Sequence, residues 1–138
     1  MSQYRSIMCE TSCIIKTLLK KIPKDREVVM LNLLRFNDVA NYPRQQEDEP
    51  ISGQEAYQIY ASKAVAFLES VNASLVWSGS AKAALIAPEG EAWDKVLLVK
   101  YPSIQAFVSM VMNPDYQAIT QHRTAALANA RLIATLDD

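Results

Sequence analysis

The chain has 138 residues, of which 50% are hydrophobic and 21% are charged, as in ordinary globular domains. Its formal net charge of −1 disfavours nucleic acid as the main partner, because phosphate binding requires a concentrated basic surface. The sequence has neither the roughly 20 consecutive apolar residues of a membrane span nor a signal-peptide pattern, so we expect one cytoplasmic domain over 1–138 with no membrane partner.

The first predicted element is a short helix over residues 11–23. Thr11 or Ser12 can cap it, an apolar stripe follows at helical spacing, and Pro23 ends it. The core of the domain is then expected over residues 28–136. This helix precedes that core and is too short to cover a whole sheet.

A strand is predicted next, over residues 28–34. It is apolar on both faces except for Asn32, and Arg35 follows near its end. Residues 37–52 then form a polar loop with two prolines and an acidic stretch. A loop of this length is either a lid or a disordered excursion.

A capping box formed by Ser52 and Glu55 marks the start of a long amphipathic helix. The next strand is predicted over residues 74–86, with its odd positions forming one apolar face and a bulge or bend expected at Gly79. After a turn, a third strand is predicted over residues 93–101. Its centre is apolar on both faces.

Two helical patterns follow, separated by Asn113-Pro114. Asparagine is a good N-cap and proline is tolerated at the first helical position, so this pair ends one helix and starts another. The second helix carries the only histidine, in the pair His122-Arg123. A fourth strand is predicted over residues 130–136.

This order of elements is the βαββαβ arrangement of the ferredoxin-like α+β fold, an antiparallel sheet with both helix layers on one face. A sheet whose other face meets water should alternate apolar and polar residues. The strands over 28–34 and 93–101 do not alternate, so a second copy of the sheet is expected to cover them. We therefore predict a homodimer in which two sheets pack face to face about a twofold axis.

The sequence also resembles a family of uncharacterised function within the dimeric α/β-barrel superfamily, over roughly residues 11–136. The phrases that carry the resemblance are Val28-Val29-Met30-Leu31-Asn32-Leu33-Leu34-Arg35-Phe36, Ser52-Gly53-x-Glu55-Ala56-Tyr57-x-x-Tyr60, Trp93-Asp94, Tyr101-Pro102-Ser103, Pro114-x-Tyr116-Gln117-Ala118-Ile119 and His122-Arg123-x-Ala125-Ala126-Leu127. It implies a ferredoxin-like chain dimerised into an α/β barrel. Relatives at superfamily level include cofactor-independent monooxygenases, muconolactone-isomerase-like enzymes, haem-handling proteins and stress-responsive dimers. The family has no agreed activity, so the resemblance supplies no catalytic residues.

The pair His122-Arg123 contains the first candidate site residues. His122 is the only side chain with an ordinary pKa near neutrality, which makes it a candidate catalytic acid–base; the alternative is a surface or cap histidine bonded to a nearby carbonyl. Arg123 lies on the inward stripe of its helix. It either binds an anionic substrate bidentately or forms a structural ion pair, with Asp94, Glu55 or Asp115 as partners.

Other candidate substrate-binding residues are polar groups set among apolar ones. Asn32 interrupts an apolar strand and either orients a substrate carbonyl or bonds a neighbouring backbone group. Arg35 is expected at the barrel mouth or paired with the acidic loop. Tyr57, Tyr60 and Tyr101 combine an apolar body with a hydroxyl, as pocket-lining residues often do, although core packing is the simpler interpretation.

The two cysteines, Cys9 and Cys13, form no C-x-x-C pair and complete no zinc pattern, so we interpret them as packing thiols and predict no metal and no cofactor. No nucleophile elbow, phosphate loop or dinucleotide fingerprint is present. Three interpretations remain. One is a cofactor-independent monooxygenase- or isomerase-like enzyme acting on an apolar oxygenated small molecule. The second is a non-catalytic small-molecule-binding or stress-related dimer, and the third is a purely structural domain with no pocket.

Overall fold

The computed structural model describes residues 11–43 and 49–138, with side chains from residue 15 onward. The predicted cap residues Thr11 and Ser12, both cysteine side chains and most of the acidic stretch of the loop therefore lie outside the described side chains. The elements are α1 Thr11–Lys21, β1 Val28–Phe36, α2 Gly53–Ser70, β2 Ser74–Ser80, β3 Lys95–Tyr101, α3 Ile104–Met112, α4 Pro114–Ala126 and β4 Leu127–Thr135.

The strands form one antiparallel sheet in the order β2-β3-β1-β4. With the helices between the strands of each half, this is the ferredoxin-like α+β arrangement that the sequence predicts. No helix within the described residues combines the length and apolar composition of a membrane span.

The helix starts follow the local chemistry of the sequence. Ser52 and Glu55 form the predicted capping box: the Glu55 N–H donates to Ser52 Oγ and the Ser52 N–H donates to Glu55 Oε1, both at 3.0 Å. Asn113 Oδ1 accepts from the Asp115 N–H at 2.9 Å, with Pro114 at the start of α4. The two helices that begin at these caps, α2 and α4, pack against each other.

Strand β2 is shorter than predicted. It ends at Ser80 instead of residue 86, because the chain there turns into a loop in which Leu85 and Ile86 are 92% and 99% exposed. The pairing register shifts between Leu75 and Trp77, not at Gly79. A bulge reverses the alternation of side chains. Leu75 lies opposite Val99 on the helix side, whereas Trp77 lies opposite Leu98 on the other side, so the predicted single apolar face over odd positions is wrong.

The ends of the other strands are also displaced from the prediction. β3 begins at Lys95, because Asp94 bends to bond β1: its N–H donates to Leu34 O and its Oδ2 accepts from the Phe36 N–H, both at 2.7 Å. β4 begins at Leu127, directly after α4, instead of at residue 130.

The hydrophobic core lies between the sheet and the helices. Its fully buried large side chains are Leu34, Ile104 and Val28. A tight junction forms where β1, α2 and α4 meet: the Asn37 N–H donates to Ala126 O at 2.8 Å, and the Gly53 N–H donates to Asn37 O at 3.0 Å. This junction aligns the start of α2 with the end of α4.

The opposite side of the sheet has no helix of the described chain on it. We call it the helix-free face. Its central apolar side chains are half-buried by their neighbours, and two at its margin are about half exposed, Trp77 at 53% and Ile133 at 46%. The central ones are Leu31, Leu33, Val96 and Leu98.

Candidate functional site

A cavity of about 340 Å³ lies between the sheet and the helices. This volume is at the lower end of the range for small-molecule sites. Four strands and three helices contribute to its wall, so the complete sheet and helix layer are needed to form it. A site of this size suits a ligand no larger than a few fused rings.

Side chains from alternate positions of β1 and β3 form the floor of the cavity. Met30 and Asn32 project from β1, and Leu97, Val99 and Tyr101 from β3, all on the helix side of the sheet. Asn32 is half-buried, and its amide Nδ2 donates to Met30 O at 3.3 Å. Asn32 therefore bonds a neighbouring backbone group and also lines the cavity. Its position is compatible with both predicted roles.

A cluster of tyrosines forms the roof and one side. The rings of Tyr57 and Tyr60 are 5.4 Å apart, and the Tyr60 hydroxyl lies 2.5 Å from that of Tyr116. Burial raises the pKa of Tyr57 to about 12, and it raises the pKa of Tyr60, Tyr101 and Tyr116 as well. All four phenols are thus neutral near pH 7, and all four side chains line the cavity.

Arg123 lines the cavity from α4 and hydrogen-bonds the Tyr57 side chain. Its positive charge also opposes the rise in the pKa of the other clustered tyrosines. Two of the carboxylates considered as ion-pair partners bind backbone N–H groups: Glu55 accepts from Ser52, and Asp94 accepts from Phe36. Within the cavity wall, the neighbours of Arg123 include the side chains of the clustered tyrosines.

The far part of the cavity is apolar. Phe107, Met110 and Val111 of α3 are buried at 5%, 4% and 2% exposure. The ring of Phe107 packs edge-on against Tyr101, with centroids 5.2 Å apart. This part of the wall suits a hydrocarbon or aromatic group.

His122 does not line the cavity. Its Nδ1 lies 2.7 Å from the hydroxyl of Tyr42, and the two rings are nearly perpendicular. Desolvation, and then the charge of Lys63, lower the pKa of His122. The Asn41 N–H donates to Ala125 O at 2.8 Å, so this segment of the loop is fastened to α4 beside His122. His122 therefore contacts the loop and not the cavity.

Arg35 is also outside the cavity. It is exposed near the end of β1, on the helix-free side and opposite Asn129. Tyr57, Tyr60, Tyr101, Asn32 and Arg123 are the predicted site residues that the fold brings together.

Most of the other lining residues, including Lys95 and Tyr116, were not among the predicted substrate-binding residues. Lys95 alternates with Leu97 and Val99, so the strand period already places it on the cavity side. Tyr116 lies about two turns before Arg123 on α4, and this spacing places the two on one helix face. Both signals are present in the sequence.

No cluster of three or more His, Cys, Asp or Glu side chains that would hold a metal ion occurs among the residues described here. The cavity wall instead offers hydroxyl, amide and cationic donors. Such groups bind and orient oxygen atoms of an organic ligand.

The sequence matches the family model of a domain of unknown function, DUF1330, over residues 48–135. A comparison with curated proteins gave no significant match.

Among solved structures, a protein of unknown function from Rhodopseudomonas palustris, RPA0582, is 32% identical with a TM-score of 0.79; the match covers 90% of this chain and 91% of that one. Its methylated form is 31% identical with a TM-score of 0.83, covering 99% and 96%. A hydroxynitrile lyase from Passiflora edulis shares the fold alone, at 7% identity and a TM-score of 0.54, covering 83% of this chain and 95% of that one.

Proposed function

The chain belongs to the DUF1330 family, a domain of unknown function, and we propose that it is a homodimeric protein that binds an apolar oxygenated small molecule. The ligand would occupy the cavity between the sheet and helices α2, α3 and α4. The observation that carries this proposal is the cavity itself: a largely apolar space lined by several neutral tyrosines. Sites of this composition recognise small molecules by apolar burial, with a few polar groups for orientation.

The test uses 2-naphthol, a small apolar molecule with one hydroxyl, followed by its own fluorescence. The purified protein should bind it saturably. Ala64 is 4% exposed and lines the cavity, so Ala64→Phe should fill the space and weaken binding at least about tenfold. The matched control is Ala66→Phe, an exposed position on the same helix, which should bind as the parent does.

Circular dichroism of both variants establishes whether they are folded. If Ala64→Phe does not fold, Ala130→Phe on β4 fills the same cavity from the sheet side. Binding that is unaffected by a folded cavity-filling variant would contradict the proposal.

A cofactor-independent enzyme, monooxygenase- or isomerase-like, is the second candidate. It is favoured by the Arg123–Tyr57 hydrogen bond and by Asn32, which together offer donors that would polarise a bound carbonyl. His122 would then be the acid–base residue only if the loop contact to Tyr42 opened. The test uses any substrate that the protein is found to convert. Unchanged turnover in His122→Ala would exclude His122 as the acid–base residue. Loss of turnover in Arg123→Gln would support Arg123 as a group that polarises the substrate carbonyl.

The homodimer is the remaining part of the proposal. The helix-free face is supported as its interface by the apolar side chains at its centre, Leu31 and Leu98, which the chain alone leaves only half-buried. A second copy of the same face would cover them and close two sheets into a barrel.

A further inference from the structure

The loop between β2 and β3, residues 81–94, is long and carries an exposed apolar tip. Hairpin loops usually have about two to five residues, and much longer ones are commonly functional. Leu85 and Ile86 are 92% and 99% exposed, so they contact almost nothing in their own chain. We call residues 83–87, where exposed alanines flank this pair, the apolar tip. Adjacent exposed apolar side chains of this kind mark interaction surfaces.

The base of the loop is fixed to the sheet. The Ala81 N–H donates to Asp94 O at 2.9 Å, which closes the loop, and the Asp94 N–H donates to Leu34 O at 2.7 Å, which fastens it to β1. Beside the tip, the Glu91 N–H donates to Pro88 O at 3.1 Å. The apolar tip is therefore carried on a stem with its own backbone hydrogen bonds.

Both ends of this loop adjoin the helix-free face. Arg131 projects from β4 on that side of the sheet. Its Nη2 lies 3.6 Å from Glu91 Oε1, and its guanidinium carbon lies 5.2 Å from the centre of the Trp93 ring. Before the loop, the ring of Trp77 lies against Gly79 on the same side. The helix-free face and the stem of the loop thus form one continuous surface.

The charge of the loop narrows the class of partner. The loop contains one cation, Lys82, and three acids, Glu89, Glu91 and Asp94. Segments that insert into membrane surfaces combine apolar side chains with Lys and Arg instead, because cellular lipid surfaces are commonly anionic. The composition of the loop therefore favours a protein surface over a lipid surface.

A second copy of this chain accounts for both the apolar tip and the helix-free face. A twofold axis that brings two helix-free faces together also places the loop of each copy beside the other copy, because the stem is continuous with the face. One partner then covers the whole apolar surface. Two unrelated partners would have to share that surface.

We propose that the apolar tip is an arm that packs on the partner subunit, with Leu85 and Ile86 of each copy buried against apolar surface of the other. This inference rests on the homodimer of the proposed function. It adds a contact outside the sheet faces, and the twofold symmetry makes that contact twice in each dimer.

The first test is site-specific photocrosslinking. Ile86 is replaced by p-benzoylphenylalanine, and the purified protein is irradiated at micromolar concentration. A covalent product of twice the chain mass should appear on a denaturing gel. The matched control is the same replacement of Val39, which is 58% exposed in the loop segment bonded to α4 and should give no such product.

The second test measures the affinity of the dimer. The double variant Leu85→Asn with Ile86→Asn removes the apolar side chains of both arms, so its dimer dissociation constant should rise at least about tenfold. Fluorescence-detected sedimentation from nanomolar to micromolar concentration measures this constant. Val39→Asn, the same kind of change at another exposed apolar position, should leave it unchanged. Circular dichroism establishes that each variant is folded.

Three outcomes would overturn the inference. No covalent dimer from position 86 in a protein that is dimeric, or an unchanged dissociation constant in the double variant, overturns the arm and leaves the homodimer standing. Binding to phosphatidylglycerol-containing vesicles that the double variant loses, with dimer affinity unchanged, assigns the tip to a lipid surface instead. A parent protein that is monomeric at micromolar concentration overturns the homodimer and the arm together.

Discussion

Neighbouring side chains of α4 serve different parts of the molecule. Successive residues of a helix are about 100° apart, so His122 and Arg123 project in different directions. Arg123 reaches the cavity and Tyr57, whereas His122 meets Tyr42 of the loop. A ligand in the cavity therefore meets the guanidinium and not the imidazole.

The Tyr42–His122 contact predicts a pH dependence of stability. Burial, and then Lys63, lower the pKa of His122 in the folded chain below its usual 6.5. The unfolded chain therefore binds more protons in the interval between the two pKa values, and the free energy of unfolding should fall as the pH drops through that interval. Urea unfolding between about pH 8 and about pH 5 should show this loss in the parent and a smaller loss in His122→Gln.

Glutamine keeps an acceptor for the Tyr42 hydroxyl but does not titrate, so the other ionisable groups contribute equally to both profiles. Parallel profiles for the two proteins would show that His122 makes no such contribution.

Gly53 is a second position at which a single side chain determines local structure. A Cβ on it would lie 2.6 Å from Ala126 O and 2.7 Å from Asn37 N, and still closer to Asn37 O. These are backbone atoms of the junction between β1, α2 and α4, so moving them away from a new Cβ would disrupt its hydrogen bonds. Gly53→Ala should lower the free energy of unfolding by about 1–3 kcal/mol in urea titrations.

The neighbouring Gln54 is exposed in the same helical turn. Gln54→Ala should change the free energy of unfolding by less than about 0.5 kcal/mol. A Gly53→Ala variant as stable as this control would refute the proposed close approach.

The helices α2 and α4 begin where nearby side chains accept hydrogen bonds from the free backbone N–H groups of the first turn. The capping box at Ser52 satisfies two N–H groups at the start of α2, and Asn113 satisfies one at the start of α4. Ser52→Ala should therefore cost about 1 kcal/mol of unfolding free energy, measured by chemical denaturation. Ser62→Ala, at an exposed site within the same helix, should cost less than about 0.5 kcal/mol. Equal costs for the two serine variants would contradict the cap assignment.

The helices and the order of strands follow from local chemistry, and this is why the sequence predicts them. Ser52, Asn113 and Pro114 act on their immediate neighbours. The strand ends depend on distant contacts instead. Asp94 ends up bonded to Leu34 and Phe36, far away in sequence, and no local pattern reveals that pairing.

The residues of the candidate site also fall into two groups: those whose positions local patterns predict, and those whose positions depend on distant contacts. Strand alternation and helix spacing place Asn32, Tyr57, Tyr60 and Arg123 on inward faces, where the structure has them. The partner of His122 could not be predicted, because Tyr42 comes from an irregular loop and lies 80 residues away in sequence. The bulge between β2 residues Leu75 and Trp77 likewise has no local marker.

At the scale of the whole molecule, the sheet has one face covered by helices and one face without them. The covered face forms the cavity, and we propose that the helix-free face forms the dimer. A stable interface removes about 800 Å² from each partner, so most of the four-stranded face would have to take part in it. Dimerisation would therefore leave the cavity of each copy intact.

Leu98→Asp should convert the dimer to a monomer, because it places a charge at the centre of the helix-free face. Molar mass is measured by light scattering during size-exclusion chromatography at micromolar concentration. The matched control is Met112→Asp, at a 49% exposed apolar position on α3, which should remain dimeric. A parent protein that is monomeric, or a folded Leu98→Asp variant that is still dimeric, would contradict the proposed interface.

The central claim is that the cavity between the sheet and the helices is a small-molecule site, and a crystal structure of the protein grown with saturating 2-naphthol tests it most directly. The account predicts one naphthol per chain inside the cavity, with its rings against Met110. Naphthol bound only outside the cavity, or a cavity closed by its own side chains, would contradict it.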